Sequence, residues 1–131
     1  MSAALGEVAV VDAAAGPELD LVVGEGTARA VIWPGMGARL RSMHRISLGA
    51  GSRTVEQRHP SDAVYYVIDG AGEVRDRDAG TGEPLVTGSM VHVDRETAYE
   101  LVAGEDGMEI VGGPAPADPA LYPAGSAPEA G

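Results

Sequence analysis

Residues 51–77, GSRTVEQRHPSDAVYYVIDGAGEVRDR, decide how the chain folds. Two segments of alternating or branched apolar character, 53–58 and 63–69, lead into a Gly-rich stretch and a third segment, 72–77. No i, i+3, i+4, i+7 spacing runs through them, so they read as strands separated by tight corners. Because successive strand side chains point to opposite faces, Val55, Gln57 and His59 share one face, opposite Glu56 and Arg58. By the same parity Ala63 and Tyr65 face one way and Tyr66 the other.

The pattern continues outward. Further strands are predicted at 21–23, 28–33, 39–48, 90–93, 98–103 and 107–111. The stretches SLGAGS, VIDGAGEV, DRDAGTGEPL and VAGEDGM each place Gly, often beside Asp, between them and read as hairpins or corners. Nine short strands without crossover helices describe an all-β sandwich or barrel. Within 39–48, Leu40, Ser42, His44, Ile46 and Leu48 form the less polar face, so His44 is expected inside, with Arg41 and Arg45 opposite. The expected organisation is an N-terminal arm or edge strand, weakly ordered, at 1–20, a barrel at 21–114 and a Pro/Gly/Ala-rich, partly disordered tail at 115–131, where Leu121 and Tyr122 dock. The EVAVV segment at 7–11 reads as a first strand or a swapped arm.

Composition narrows the chemistry. The 131 residues suit one domain, and with no Phe the core must be built from Val, Leu, Ile, Ala and Met. All nine basic residues are Arg, against twenty acidic ones, for a formal net charge of −11. That field repels phosphate backbones and anionic headgroups, so neither nucleic acid nor membrane is an expected partner. The absence of Cys removes disulfides, thiolate ligands and a thiol nucleophile. With no signal-like segment or long apolar run, a cytoplasmic location is expected.

The spacing Gly51, Gln57, His59, Ala63, Gly70 resembles the first signature of the cupin family, G(X)5HXH(X)3,4E(X)6G, and VYYVIDGAGEV is similar to the text of small bacterial cupins. The second signature, G(X)5PXG(X)2H(X)3N, aligns from Gly88 and places Asp94, Glu96, Tyr99 and Ala103 at its later positions. The likeness extends over about residues 28–114 and implies a double-stranded β-helix, a jelly-roll-like antiparallel β-barrel around one pocket. In typical cupins two His and one Glu of the first signature and one His of the second hold a divalent metal. This chain keeps His59 and presents Gln57, Ala63 and Tyr99 at the other three positions, a degenerate metal site. Asp62, beside the lost Glu, reaches the interior only if its strand bulges.

The residues then suggest roles. His59, helped by His44, is a candidate to move a proton, since imidazole titrates near neutrality. Tyr99 is a candidate acid or oxyanion partner, as in metal-free cupin sugar epimerases, which the arrangement resembles. Gln57, Tyr65, Ala63 and Arg41 are candidate substrate-binding residues, and Trp33 a rim or interface anchor. His92 has no assigned face.

The expected function is acid/base chemistry on a small carbonyl-containing molecule, of isomerase, epimerase, cyclase or dehydratase type, for instance in secondary metabolism, with no cofactor. One alternative is a metal-dependent dioxygenase, lyase or cyclase holding Zn, Fe, Ni or Mn through His59, His44 and Gln57. Another is a non-catalytic cupin that binds a small molecule. A homodimer is expected, because 7–11 or 28–33 would otherwise leave an open sheet edge.

Overall fold

A computed structural model describes residues 8–122. Nine strands form one curled antiparallel sheet: β1 (Glu18–Leu19), β2 (Val22–Val23), β3 (Gly26–Ile32), β4 (Met43–Leu48), β5 (Arg53–Thr54), β6 (Asp62–Asp76), β7 (Thr81–Val86), β8 (Met90–Val93) and β9 (Tyr99–Ala115). Short 3-10 turns at Pro34–Met36 and Pro119–Leu121 complete the described chain. The two long strands β6 and β9 pair along most of their length, and β4, β5, β7 and β8 attach to them so that the sheet wraps around its own concave face.

Period-two alternation decides what lies inside. Along β6, Ala63, Tyr65 and Val67 are buried while Val64, Tyr66 and Ile68 are exposed. Along β4, His44, Ile46 and Leu48 are buried. Leu19, Ala28, Leu101, Met108 and Ile110 join them in one core. This is the all-β, jelly-roll-like architecture expected from the sequence.

Several details differ. The segments 63–69 and 72–77 are one strand, and so are 98–103 and 107–111; VIDGAGEV and VAGEDGM bend the chain without reversing it. Their glycines serve close approach instead. A Cβ on Gly70 would lie 2.3 Å from the Gly107 carbonyl oxygen, and one on Gly72 would lie 2.0 Å from that of Val102. Without side chains at these points, β6 and β9 can shift register together and curl.

The strand expected from residue 39 begins at Met43, and Leu40 is 77% exposed rather than inward. Its partner β3 ends at Ile32, opposite Met43, where Trp33 and Pro34 turn the chain away, so β3 does not continue the ladder before Met43. Only Arg53–Thr54 of 53–58 forms strand. DRDAGTGEPL contains both the turn and the start of β7, whose Pro84 is accommodated because β7 pairs only with β6. Of EVAVV, Glu7 lies outside the described residues, and Val8 and Val10 are exposed and outside any strand. The tail beyond residue 122 also lies outside them. β3 is flanked by β4 on one side and on the other by the two residues of β1.

Candidate active site

Gln57 and Tyr99 are brought together by their backbones. The N–H of Gln57 donates to the Tyr99 carbonyl at 2.8 Å and the N–H of Tyr99 returns to the Gln57 carbonyl at 2.9 Å. Residues that exchange both bonds in this way project their side chains from the same face, here the interior. A further bond, from the Glu96 N–H to the His59 carbonyl at 2.7 Å, holds the next two residues alongside. Glu96 takes φ 63°, an uncommon conformation outside glycine, at the turn leading into β9.

A chain of four buried side chains follows. Nδ1 of His59 lies 2.8 Å from Oδ2 of Asp118, Nε2 of His59 lies 2.7 Å from the Tyr99 hydroxyl, and that hydroxyl lies 2.5 Å from the hydroxyl of Tyr65. A carboxylate only accepts, so the Nδ1–H of His59 donates to Asp118 and leaves a lone pair on Nε2. Tyr99 donates to that lone pair, and Tyr65 donates to the Tyr99 oxygen. Asp118 is itself fixed from the other side: its Oδ1 accepts the Ala120 N–H at 3.0 Å and so caps the last 3-10 turn. Burial pushes the Tyr65 phenol up to about 12 and raises Tyr99 further, with Tyr65 as the second cause. Both remain protonated donors at neutral pH.

His44 makes a parallel arrangement. Its Nε2 lies 2.9 Å from the Tyr122 hydroxyl, and the Tyr122 ring packs against Trp33 with centroids 5.1 Å apart. Burial, reinforced by the charge His59 would carry, lowers the His44 pKa from 6.5 to about 4, so this imidazole is neutral. Its Nε2 shares a hydrogen bond with the hydroxyl of Tyr122, whose phenol burial raises to about 12. Ser42 below it donates to the Pro114 carbonyl at 2.6 Å.

Gln57 is 4% exposed, yet neither its Nε2 nor its Oε1 has a hydrogen-bond partner among the described residues. A buried amide left in that condition is costly. On the concave side a cleft of about 240 Å³ reaches Tyr99, with Val74, Val91, Val93, Thr81 and Thr97 along its walls and Asp76 and Glu83 beside them.

The structure thus brings His59, Tyr99 and Tyr65 into direct contact, sets Gln57 beside Tyr99 on the strand ladder, and buries His44 and Ala63 in the same interior. Arg41 is not part of this assembly; it is exposed, on the border of an outer cleft with Met43, Tyr66 and Met90. Trp33 is buried under Tyr122. Asp62 does not bulge inward but lies on the surface, where His92 sits 3.6 Å from both it and Asp94.

Sequence reasoning missed Asp118 entirely and anticipated Tyr122 only as a docking residue. The one signal for Asp118 was its place before Pro119 at the start of a turn, a capping position.

The interior donor set does not fit the divalent ion that typical cupins hold. The Nε2 atoms of His44 and His59 are both engaged by phenol hydroxyls, the Asp118 carboxylate is on the far side of the His59 ring, and Ala63 offers no donor atom. Among the described residues, the only cluster of three His, Asp or Glu ligand atoms within 4.8 Å of one another is the exposed Asp62, His92 and Asp94. An amide and neutral phenols are weak substitutes for the missing imidazole and carboxylate.

A curled antiparallel sheet enclosing a small polar interior, with these signature spacings, is the cupin fold, and solved structures that resemble it are cupins. A cupin-like protein from Thermotoga maritima superposes with a TM-score of 0.67 at 18% identity, covering 83% of this chain and 80% of that one. A predicted oxalate decarboxylase from Thermotoga maritima gives 0.65 at 19% identity over 79% and 96% of the two chains. The polyketide cyclase RemF from Streptomyces resistomycificus gives 0.61 at 18% identity over 84% and 75%. No protein-family model and no curated protein sequence matches the chain.

Proposed function

We propose that the protein is a metal-independent cupin enzyme that moves protons on a small, uncharged, carbonyl-containing molecule. The observation that carries this reading is the buried chain Asp118–His59–Tyr99–Tyr65, of which Tyr99 lines the cleft. A base oriented by a carboxylate and directed at a second polar hydrogen is the arrangement on which acid/base sites are built.

The chemistry follows from the protonation states. Tyr99 is held as a neutral phenol on the cleft wall, so by turning its one O–H from His59 to a carbonyl oxygen it stabilises the charge that grows there on enolisation, while Tyr65 goes on donating to the Tyr99 oxygen. The Nε2 that this turn frees takes the α C–H proton as the enolate forms, and the resulting imidazolium, paired with Asp118, gives the proton back to carbon or to the substrate oxygen. Asp118 acts as a positioning residue, fixing the tautomer that keeps Nε2 towards Tyr99. Proton shuttling of this kind serves isomerisation, cyclisation and dehydration, and cyclase and decarboxylase names among the structural neighbours support an enzyme. The cleft walls carry Asp76, Glu83 and Asp94 against Arg75, whose guanidinium is paired with Glu73, and that balance favours a neutral molecule.

The test is solvent exchange. Incubated in D2O with small ketones, lactones and lactams, the protein is expected to catalyse α-proton exchange followed by NMR, and Tyr99→Phe to lower the rate about 100-fold. Asp118→Asn should lower it too and shift the pH profile, which a purely structural role would not. Exchange that Tyr99→Phe leaves unchanged, or no exchange with any of the compounds, sinks the proposal.

A further inference from the structure

We propose that Gln57 is the specificity residue of this interior and that it selects a ligand carrying a hydrogen-bond acceptor and a donor side by side, as in a lactam, an imide or a primary amide. This rests on the reading of the interior as a ligand site and adds the class of molecule it takes.

Three observations carry it. Gln57 is buried, with both amide atoms unpartnered among the described residues, while the polar side chains around it are satisfied by one another: His59 by Asp118 and Tyr99, His44 by Tyr122, Ser42 by Pro114 and Thr54 by the Leu101 N–H. The protein therefore pairs every neighbouring group and leaves this one amide. Second, the paired backbones of Gln57 and Tyr99 put that amide on the face from which Tyr99 meets the cleft. Third, none of the Arg side chains is buried among the described residues, the chain has no Lys, and on the cleft walls Asp76, Glu83 and Asp94 stand against Arg75, which is paired with Glu73.

The chemistry of a primary amide then fixes the complement. Its Oε1 accepts and its Nε2 donates in one plane, so a cis amide can close two hydrogen bonds with it at once. A carboxylate presents two acceptors and would set one against Oε1, and no buried cation offsets its desolvation. A simple ketone satisfies Nε2 and leaves Oε1 unpaired. Only an acceptor beside a donor satisfies both, and a site with a buried polar group discriminates strongly against analogues that leave it unpaired.

The experiment is a titration of the whole protein with 2-pyrrolidinone and, separately, with N-methyl-2-pyrrolidinone, which keeps the carbonyl and loses the N–H. Binding is read from the backbone amide signals of residues 57, 59 and 99 in 15N-edited NMR spectra of the wild type and of Gln57→Leu, and in the wild type from the Gln57 side-chain amide as well. The lactam is expected to bind at least about tenfold more tightly than its N-methyl analogue. Gln57→Leu should erase that preference and, by removing an unpaired buried amide, raise the melting temperature by about 4 °C. Equal affinity for the two compounds overturns the donor–acceptor assignment and leaves the interior a ligand site. Binding of neither overturns it as well, as does a preference that survives in Gln57→Leu or a variant that melts lower. The α-proton exchange of Tyr99→Phe decides the proposed reaction separately, since it reads turnover whereas this titration reads the preference between two ligands.

Discussion

Replacing His44 by Gln should flatten the acid side of the protein's stability curve. In the unfolded chain this imidazole titrates at 6.5, and in the folded protein burial, with His59 nearby, brings it to about 4. Between those values the unfolded state binds a proton that the folded state refuses, so stability falls as pH falls. The stabilisation is fully present above pH ~6.5 and lost progressively as pH approaches ~4, where the difference amounts to about 3 kcal/mol. At pH ~4.5 about 2.5 kcal/mol should already be gone, a large share of the 5–15 kcal/mol typical of a domain. Glutamine is similar in size, can still bond the Tyr122 hydroxyl and does not titrate. Urea unfolding of both proteins at neutral pH and at pH ~4.5 isolates the effect, because the acidic residues contribute to both curves alike. The wild type should lose about 2 kcal/mol more than His44→Gln on acidification. Parallel losses, within about 0.5 kcal/mol, would refute the placement of a neutral imidazole in this interior.

Thr54, fully buried, accepts the Leu101 N–H at 3.0 Å through its hydroxyl, so Thr54→Val should cost about 1–3 kcal/mol in urea unfolding by leaving that N–H unpaired. Gly112→Ala would drive a Cβ to 2.0 Å from the Val64 carbonyl oxygen at φ 151°, and circular dichroism should show a loss of about 4 kcal/mol or outright unfolding. Elemental analysis of untagged protein prepared without chelator should find metal well below one equivalent; near-stoichiometric metal that disappears in His59→Ala would overturn the metal-free mechanism.

What was legible in the sequence follows from what short-range pattern encodes. Parity placed Tyr65 inside and Tyr66 outside, and put His44 with Ile46 and Leu48, because a strand's side chains alternate whatever it packs against. Signature spacing singled out His59 and Tyr99 across forty residues, and the structure joins them by a 2.7 Å bond. Leu40 broke the pattern because alternation holds only where a partner strand continues, and β3 stops at Ile32. Gly70, Gly72 and Gly107 were read as reversals since glycine marks turns and close backbone approach alike; the second use depends on a neighbour far away in sequence. Asp118 was hidden for the same reason. Nothing around it in a Pro/Ala-rich segment signals that its carboxylate will meet a histidine fifty-nine residues earlier.

The segment between β9 and residue 122 reaches back over the barrel, and from it Asp118 serves His59 while Tyr122 serves His44. Each histidine therefore lies outside that segment, but a group bonded to its ring belongs to a short loop. Exchanging Asp118 or Tyr122 changes the acid/base character of a barrel histidine without touching a single strand register. Scaffold and reactivity are in this way separately adjustable, and a designer who wished to give the same barrel a different proton chemistry would rewrite seven loop positions, 116–122, and leave the sheet alone.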